Sequence, residues 1–426
     1  MLAQLKANLH RLKHSKEARK YLLFTFFKYL EYAITAFSFF YFADVVGPEQ
    51  YGHATAGLLV VTYSGLAVLG VNQVLVKWYA LNDNAPTQYQ IIRYNILYNL
   101  LIGALLFGGI NLLFSAKSYA FYVALIVALK LFQECCVNIN RVKRQIFNIN
   151  LIYLSFGLSL LAGALLYVDE VDMFFKVWSG SLLLSASVGG ITVLPYLNIL
   201  AHFSSFQDWV LQHFKSLISD GVKFALIGAI LPLYLSMDRI MLINYSDISE
   251  TALGNYQLAD NISAVISLGF NSVLFIITPP LLAQLNTGAL SAARFFKLGY
   301  KLFAGILTVS LIAGAAAAFI VPFVFPEYDT ITYPLVMYIV NRSLFIGFFI
   351  YNNICIVHSK ESLYVKLAYA CFSLVAIGYG AAFFLIQSPQ LLTYVLPVIL
   401  LLAIVVLHFA YYWFIVKKHN FFTATT

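Results

Sequence analysis

Long apolar runs separated by short polar stretches recur from one end of this chain to the other. Twelve of them fall near residues 20–43, 53–76, 91–114, 118–138, 148–168, 173–198, 219–240, 252–281, 298–320, 331–352, 363–387 and 391–416. Each matches the roughly 20 residues that an α-helix needs to cross the hydrocarbon core of a bilayer. The apolar positions are continuous and do not alternate, which predicts helices and excludes a lipid-facing β-barrel. The polar stretches between the runs are short, so no appended soluble domain is expected and function falls inside a helical bundle. In two connections, 77–93 and 201–216, apolar and polar positions instead segregate at helical spacing. These two read as amphipathic helices lying in the interface.

Composition agrees with the pattern: 61% of the 426 residues are hydrophobic and 10% charged, with a mean hydropathy of +0.83. A net charge of +8 would suit nucleic acid if it formed a patch, but its distribution follows the loops. With the N-terminus in the cytoplasm, the inner loops and tails hold 19 Lys/Arg and 4 Asp/Glu, against 2 and 9 in the outer loops. The Lys/Arg bias predicts an N-in, C-in orientation. The basic stretch from Lys6 to Lys20 reads as a cytoplasmic tail on anionic lipid. It does not read as a cleaved leader, because the first apolar run is too long and lacks a small-residue cleavage site. Cys135, Cys136, Cys355 and Cys371 have no metal-ligand spacing and read as reduced packing residues.

An internal repeat organises the chain. Leu69-Gly70-Val71-Asn72-Gln73-Val74-Leu75 reappears as Leu268-Gly269-Phe270-Asn271-Ser272-Val273-Leu274, at an offset of 199 residues. Tyr51-Gly52 and Leu253-Gly254, each after an acid-containing outer turn, match at an offset of 202. Six spans separate the copies, so both halves share one orientation, as in transporters built from parallel repeats. The expected organisation is an N-terminal lobe over 1–200, an interfacial linker over 201–218 and a C-terminal lobe over 219–426.

Among the ionisable residues that fall within the spans are Lys28, Glu31, Lys130, Glu134, Asp220, Lys223, Asp238, Arg239, Asp260 and Arg342. Each costs ~2.5 kcal/mol or more at the bilayer centre unless it meets a partner or a wet cavity. Lys28–Glu31 and Asp220–Lys223 at i,i+3, and Lys130–Glu134 at i,i+4, can pair on their own helices, which is a structural reading of equal weight. Arg239 lies roughly 30 Å along its helix from Ser219 and is expected at the outer rim, within reach of water. Arg342 is near mid-depth with no acid at i±3 or i±4. A guanidinium so placed can grip phosphate oxygens through two parallel hydrogen bonds. Arg342, Lys28 and Lys130, with Arg239 at the rim, are therefore the candidate substrate-binding residues of a cationic lumen. Asp260, which has no base at helical spacing, joins Glu31 and Glu134 as candidates for coupling transport to H⁺ or Na⁺. Pro232, near the midplane, is the candidate hinge. No Walker A sequence, HExxH, GxSxG or acid-rich loop occurs, so the chain reads as a transporter and not an enzyme, with no cofactor beyond a coupling ion.

Three stretches carry a family resemblance: Val46-Gly47-Pro48-Glu49-Gln50-Tyr51-Gly52, Met237-Asp238-Arg239-Ile240-Met241-Leu242, and Ala252-Leu253-Gly254-Asn255-Tyr256-Gln257-Leu258-Ala259. On these the chain resembles Wzx-type polysaccharide repeat-unit (O-antigen) flippases of the multidrug/oligosaccharidyl-lipid/polysaccharide exporter superfamily. The resemblance covers roughly the first 290 residues; beyond Arg294 it rests on span count and hydropathy. It implies an all-α fold of two six-helix lobes around a cationic lumen. The implied activity is moving an undecaprenyl-diphosphate-linked oligosaccharide, an O-antigen or capsule repeat unit, from the inner to the outer leaflet by ion-coupled alternating access. The implied setting is the bacterial inner membrane, with membrane lipids and other polysaccharide assembly proteins as partners and no nucleic acid. Two other readings stay open: a multidrug or organic-cation antiporter of the same superfamily, and a membrane-embedded polysaccharide-processing enzyme.

Overall fold

A helix satisfies its own backbone donors and acceptors, and lipid offers none in exchange. The apolar runs take that form in the computed structural model, which describes residues 16–81, 84–196, 203–244, 248–286, 290–357 and 361–417. All regular structure among the described residues is helical. We number the α-helices α1 Lys16–Tyr63, α2 Val71–Leu81, α3 Ala85–Leu113, α4 Ala120–Val142, α5 Ile146–Tyr167, α6 Val171–Val193 and α7 Phe203–Ile243. There follow α8 Glu250–Asn286, α9 Ala292–Val324, α10 Thr332–Ile346, α11 Phe349–Val357, α12 Glu361–Leu385 and α13 Pro389–Tyr411. The basic tail before Lys16 lies outside the described residues.

Ten helical segments among the described residues are long and apolar enough to cross a membrane. The first is α1, which is two helices joined at Gly47 (φ 71°, ψ 174°). Glycine has no side chain to oppose a positive φ, and Pro48 then begins the second arm where a missing N–H costs nothing. Counting the two arms separately and adding α8, 37 residues long, gives the expected twelve. The tenth span is α10 plus α11, joined by a tightened turn in which Gly347 N–H donates to Leu344 C=O at 3.0 Å and Phe348 N–H to Phe345 C=O at 3.1 Å.

The two copies of the repeat differ locally. The first is a helix break, a 3₁₀ turn over Ser64–Val68 followed by Leu69 (φ 46°) and Gly70 (φ 69°) before α2 begins. The second lies inside the uninterrupted α8, and the side chains at 269 and 271–273 are outside the described set. The amphipathic stretch 77–93 ends α2 and begins α3 instead of forming its own helix. From Phe203 onward the expected interfacial linker is the start of α7, which runs on through Pro232 to Ile243.

The chain divides into two compact units. Unit 1 comprises 1–45 and 57–228, and unit 2 comprises 46–56 and 229–426. In unit 1, Leu75, Ile92, Cys135, Ile139, Ile152 and Val193 form a buried core against Trp78 and Trp209. Asn72 Oδ1 accepts from both Asn95 and Asn99 at 3.1 Å, joining α2 to α3, and the Cys135 thiol donates to Asn95 Oδ1 at 2.9 Å. All four cysteines are buried and free. In unit 2, Leu274, Ile306 and Ile346 form a smaller core under Phe270, Leu302 and Phe349. Large apolar side chains face outward, among them Phe384 at 91% exposure, as expected where the surrounding solvent is hydrocarbon.

Candidate functional site

Two arginines of unit 2 converge on one carboxylate. Asp260 sits on α8, Arg239 on α7 and Arg342 on α10. Arg239 Nη1 is 2.7 Å from Asp260 Oδ2, and Arg342 Nη2 donates to Asp260 Oδ1. Both pairs are shielded, with side-chain exposures of 7% for Asp260, 4% for Arg239 and 14% for Arg342. Arg239 is held further by Gln257 Oε1 at 2.9 Å, the Leu235 carbonyl at 2.9 Å and Ser236 Oγ at 3.0 Å. Arg342 is held less completely, and its Nε is buried without a hydrogen-bond partner among the described residues.

A second carboxylate, Asp238, lies beside this cluster. Its Oδ2 accepts from Tyr338 O–H at 2.6 Å and its Oδ1 from the Arg239 backbone N–H at 2.8 Å. Tyr338 and Arg342 are four residues apart on α10, so one face of that helix serves both carboxylates. On α8 the same spacing joins Gln257 to Asn261, 3.0 Å between Nε2 and Oδ1, and Asn261 donates onward to Tyr51 O–H. Two arginines and two aspartates thus balance. The arrangement satisfies the condition that buried charges be paired and hydrogen-bonded.

Three sequence expectations change here. Arg342 has no acid at helical spacing on its own helix, but it is not uncompensated, because α8 supplies Asp260. Asp260 in turn is the most heavily paired acid of the unit instead of the least. Arg239, expected to reach water from an outer rim, is 3% exposed. Counting along one helix missed that Gln257 and Asp260 of α8 cover Arg239.

In unit 1, Lys28 Nζ is 3.0 Å from Glu31 Oε2, so the i,i+3 pair forms, and Thr35 Oγ1 donates to Glu31 Oε1 at 3.3 Å. The ammonium also lies over the Tyr153 ring at 3.3 Å and the Tyr32 ring at 4.2 Å. Such placement on aromatic faces is a favourable setting for a cation. Lys130 does not pair with Glu134 among the described residues. Its Nζ donates to the Val61 carbonyl at 3.0 Å, at the end of α1 where the helix leaves carbonyls unpaired. Asp220 binds Lys77 at 2.7 Å and Trp78 Nε1 at 3.2 Å, with Lys223 more distant at 3.6 Å. Lys28, Lys130, Arg239 and Arg342 therefore each have an intramolecular partner. Pro232 interrupts no helix. Tyr338 and Gln257 were missed from sequence, although the i,i+4 spacing of Tyr338 to Arg342 was a visible signal.

The helices and buried ion pairs define a multi-pass membrane protein with a MATE-like fold. A solved structure described as a MATE mutant superimposes with a TM-score of 0.56 at 11% identity, covering 95% of this chain and 97% of that one. A second, described only as "protein A", superimposes with a TM-score of 0.60 at 13% identity over 95% and 96% of the two chains. At these identities the likeness is one of fold. No family model and no curated protein matches the sequence.

Proposed function

We propose that this chain is a transporter of the multidrug/oligosaccharidyl-lipid/polysaccharide exporter superfamily that carries a lipid-linked, diphosphate-bearing oligosaccharide. The substrate is an undecaprenyl-diphosphate-linked repeat unit, moved from the inner to the outer leaflet of the bacterial inner membrane in an N-in, C-in protein. The observation that carries this reading is the convergence of Arg239 and Arg342 on Asp260. A lone carboxylate holding two guanidinium groups is a stand-in for a phosphate, and both bind guanidinium through the same paired N–H···O geometry. Arg342, the more exposed of the two and without the further hydrogen bonds that hold Arg239, is the one that exchanges Asp260 for substrate oxygen. A coupling ion, H⁺ or Na⁺, taken up at Asp260 weakens its hold and frees the arginine for the diphosphate. Lys28 and Lys130 serve less directly, since each is already engaged.

The test is a deletion strain complemented with variants. Loss of the gene leaves lipid-linked repeat units facing the cytoplasm and abolishes surface polymer, and Arg342→Ala at normal expression restores neither. Normal surface polymer in the deletion strain overturns the reading. One observation favours a second, an organic-cation antiporter: the Lys28 ammonium rests on the Tyr153 and Tyr32 ring faces beside Glu31, a setting that suits a cation. Under that reading, drug efflux from whole cells depends on Glu31 and Glu134 and survives Arg342→Ala.

A further inference from the structure

Within unit 2, α9, α10 and α13 enclose a cavity of about 430 Å³ whose walls include Phe296, Tyr300, Phe303, Leu344 and His408. Its volume is in the range of small-ligand pockets, about 300–1,000 Å³. Two of the polar groups beside the lumen are already engaged. His408 Nε2 bonds to the Leu344 carbonyl at 2.8 Å, and the Tyr300 and Tyr351 hydroxyls bond to each other at 2.6 Å. The Tyr300 and His408 rings line the cavity packed on Phe296, Phe303 and Phe348. Gly347 makes room for this wall, since a Cβ there would meet Phe303 at 2.7 Å and His408 at 2.8 Å. The mouth opens outward past Phe409, 71% exposed, and Val405, 36% exposed. On a membrane-spanning surface, what lies beyond that mouth is lipid.

Charge says which lipid. α9 carries Arg294, Lys297 and Lys301, all exposed, within a turn of the wall residues Phe296 and Tyr300. No acidic residue occurs anywhere in α9. The helix also begins there, at Ala292, so its N-terminal dipole adds to the positive field. We propose that this cavity is a binding site for an anionic glycerophospholipid, one acyl chain in the aromatic lumen and the phosphate on Arg294, Lys297 and Lys301. Hydrocarbon fills an apolar, unbridged space at no hydrogen-bonding cost, and basic residues beside the lumen select an anionic headgroup. The site is separate from the Asp260 cluster, and its lipid binding does not depend on which cargo the protein carries.

The test is native mass spectrometry of the full-length protein in detergent, titrated with phosphatidylglycerol or phosphatidylcholine. The expected result is a phosphatidylglycerol adduct favoured by roughly tenfold or more over phosphatidylcholine. Val405→Trp, a change at the exposed lip that fills the lumen, should remove both adducts. Lys297→Glu with Lys301→Glu, both on the surface, should abolish the preference and leave weak binding of either lipid. Equal binding of the two lipids to the unaltered protein, or phosphatidylglycerol binding that survives Val405→Trp, overturns the proposal. Because the readout is lipid binding and not transport, its failure leaves the proposed transport activity untouched.

Discussion

Gly52 and Gly254 sit in a reciprocal close approach. A Cβ on Gly52 would lie 1.8 Å from the Glu250 carbonyl oxygen, and one on Gly254 would lie 1.8 Å from the Pro48 carbonyl oxygen. Residues 48 and 52 correspond to 250 and 254 at the 202-residue offset that links the Tyr51-Gly52 and Leu253-Gly254 sites, so equivalent backbone positions meet one another. All four belong to unit 2.

This approach leaves no room for a methyl group. Gly52→Ala and Gly254→Ala should each force the two backbones apart and destabilise unit 2 by about 1–3 kcal/mol or more. Gly108→Ala, where a Cβ meets nothing within 4 Å, is the control and should be neutral or slightly stabilising, since alanine favours the helix. Thermal unfolding of purified protein in detergent decides the matter. Equal melting temperatures for Gly52→Ala and the native chain would show that the seam does not need a bare α-carbon.

Asp260 anchors two arginines, so its loss should cost more than the loss of either. Asp260→Asn leaves Arg239 and Arg342 buried without their counter-charge, a change of about 3–5 kcal/mol. Adding Arg342→Gln should recover part of that cost, because one of the stranded charges is then gone. A double-mutant cycle on unfolding measures the coupling, and simple additivity would contradict a shared ion pair.

The spans were legible in the sequence because lipid enforces a long, unbroken apolar run wherever a helix crosses. The break at Gly47 was visible too, in the Gly-Pro pair of the first outer turn. What could not be read was pairing between helices. Arg342 shows no acid at i±3 or i±4, and nothing along the chain says that Asp260, 82 residues earlier, is its partner. Lys130 and Glu134 have the spacing of an ion pair, yet the free carbonyls at the end of α1 compete for the ammonium, and helical spacing is blind to that competitor. Arg239 escaped for the same reason: counting along α7 places it near the helix end, and nothing along the chain says that Gln257 and Asp260 of α8 cover it there.

Tyr338 is the least conspicuous member of the cluster and the simplest to remove. Its O–H donates to Asp238 Oδ2 at 2.6 Å in a buried site. Tyr338→Phe preserves the ring and deletes a hydrogen bond to a charged group, for an expected loss of about 1.5–3 kcal/mol. Asp238→Asn in the same background should then have a smaller effect than Asp238→Asn alone. Urea or thermal unfolding of the four proteins checks this, and an unchanged stability for Tyr338→Phe removes the hydroxyl from the network.

Lys130 and Arg342 should separate stability from transport. Lys130 Nζ holds the Val61 carbonyl at 3.0 Å, so its task is to close the end of the first helical pair. Lys130→Met should lower thermal stability by about 1–2 kcal/mol and leave polymer export per molecule of folded protein near the native level. Arg342→Lys should do the opposite: the ammonium keeps the charge opposite Asp260 and so most of the stability, but it lacks the planar fork that binds two oxygens at once. Surface-polymer assays normalised to folded protein, with melting curves on the same preparations, give both quantities. If Lys130→Met abolishes export at normal abundance, the ammonium contacts the cargo and its place at the Val61 carbonyl is a resting position. If Arg342→Lys exports normally, the guanidinium is a structural partner of Asp260 and the phosphate exchange proposed for it does not take place.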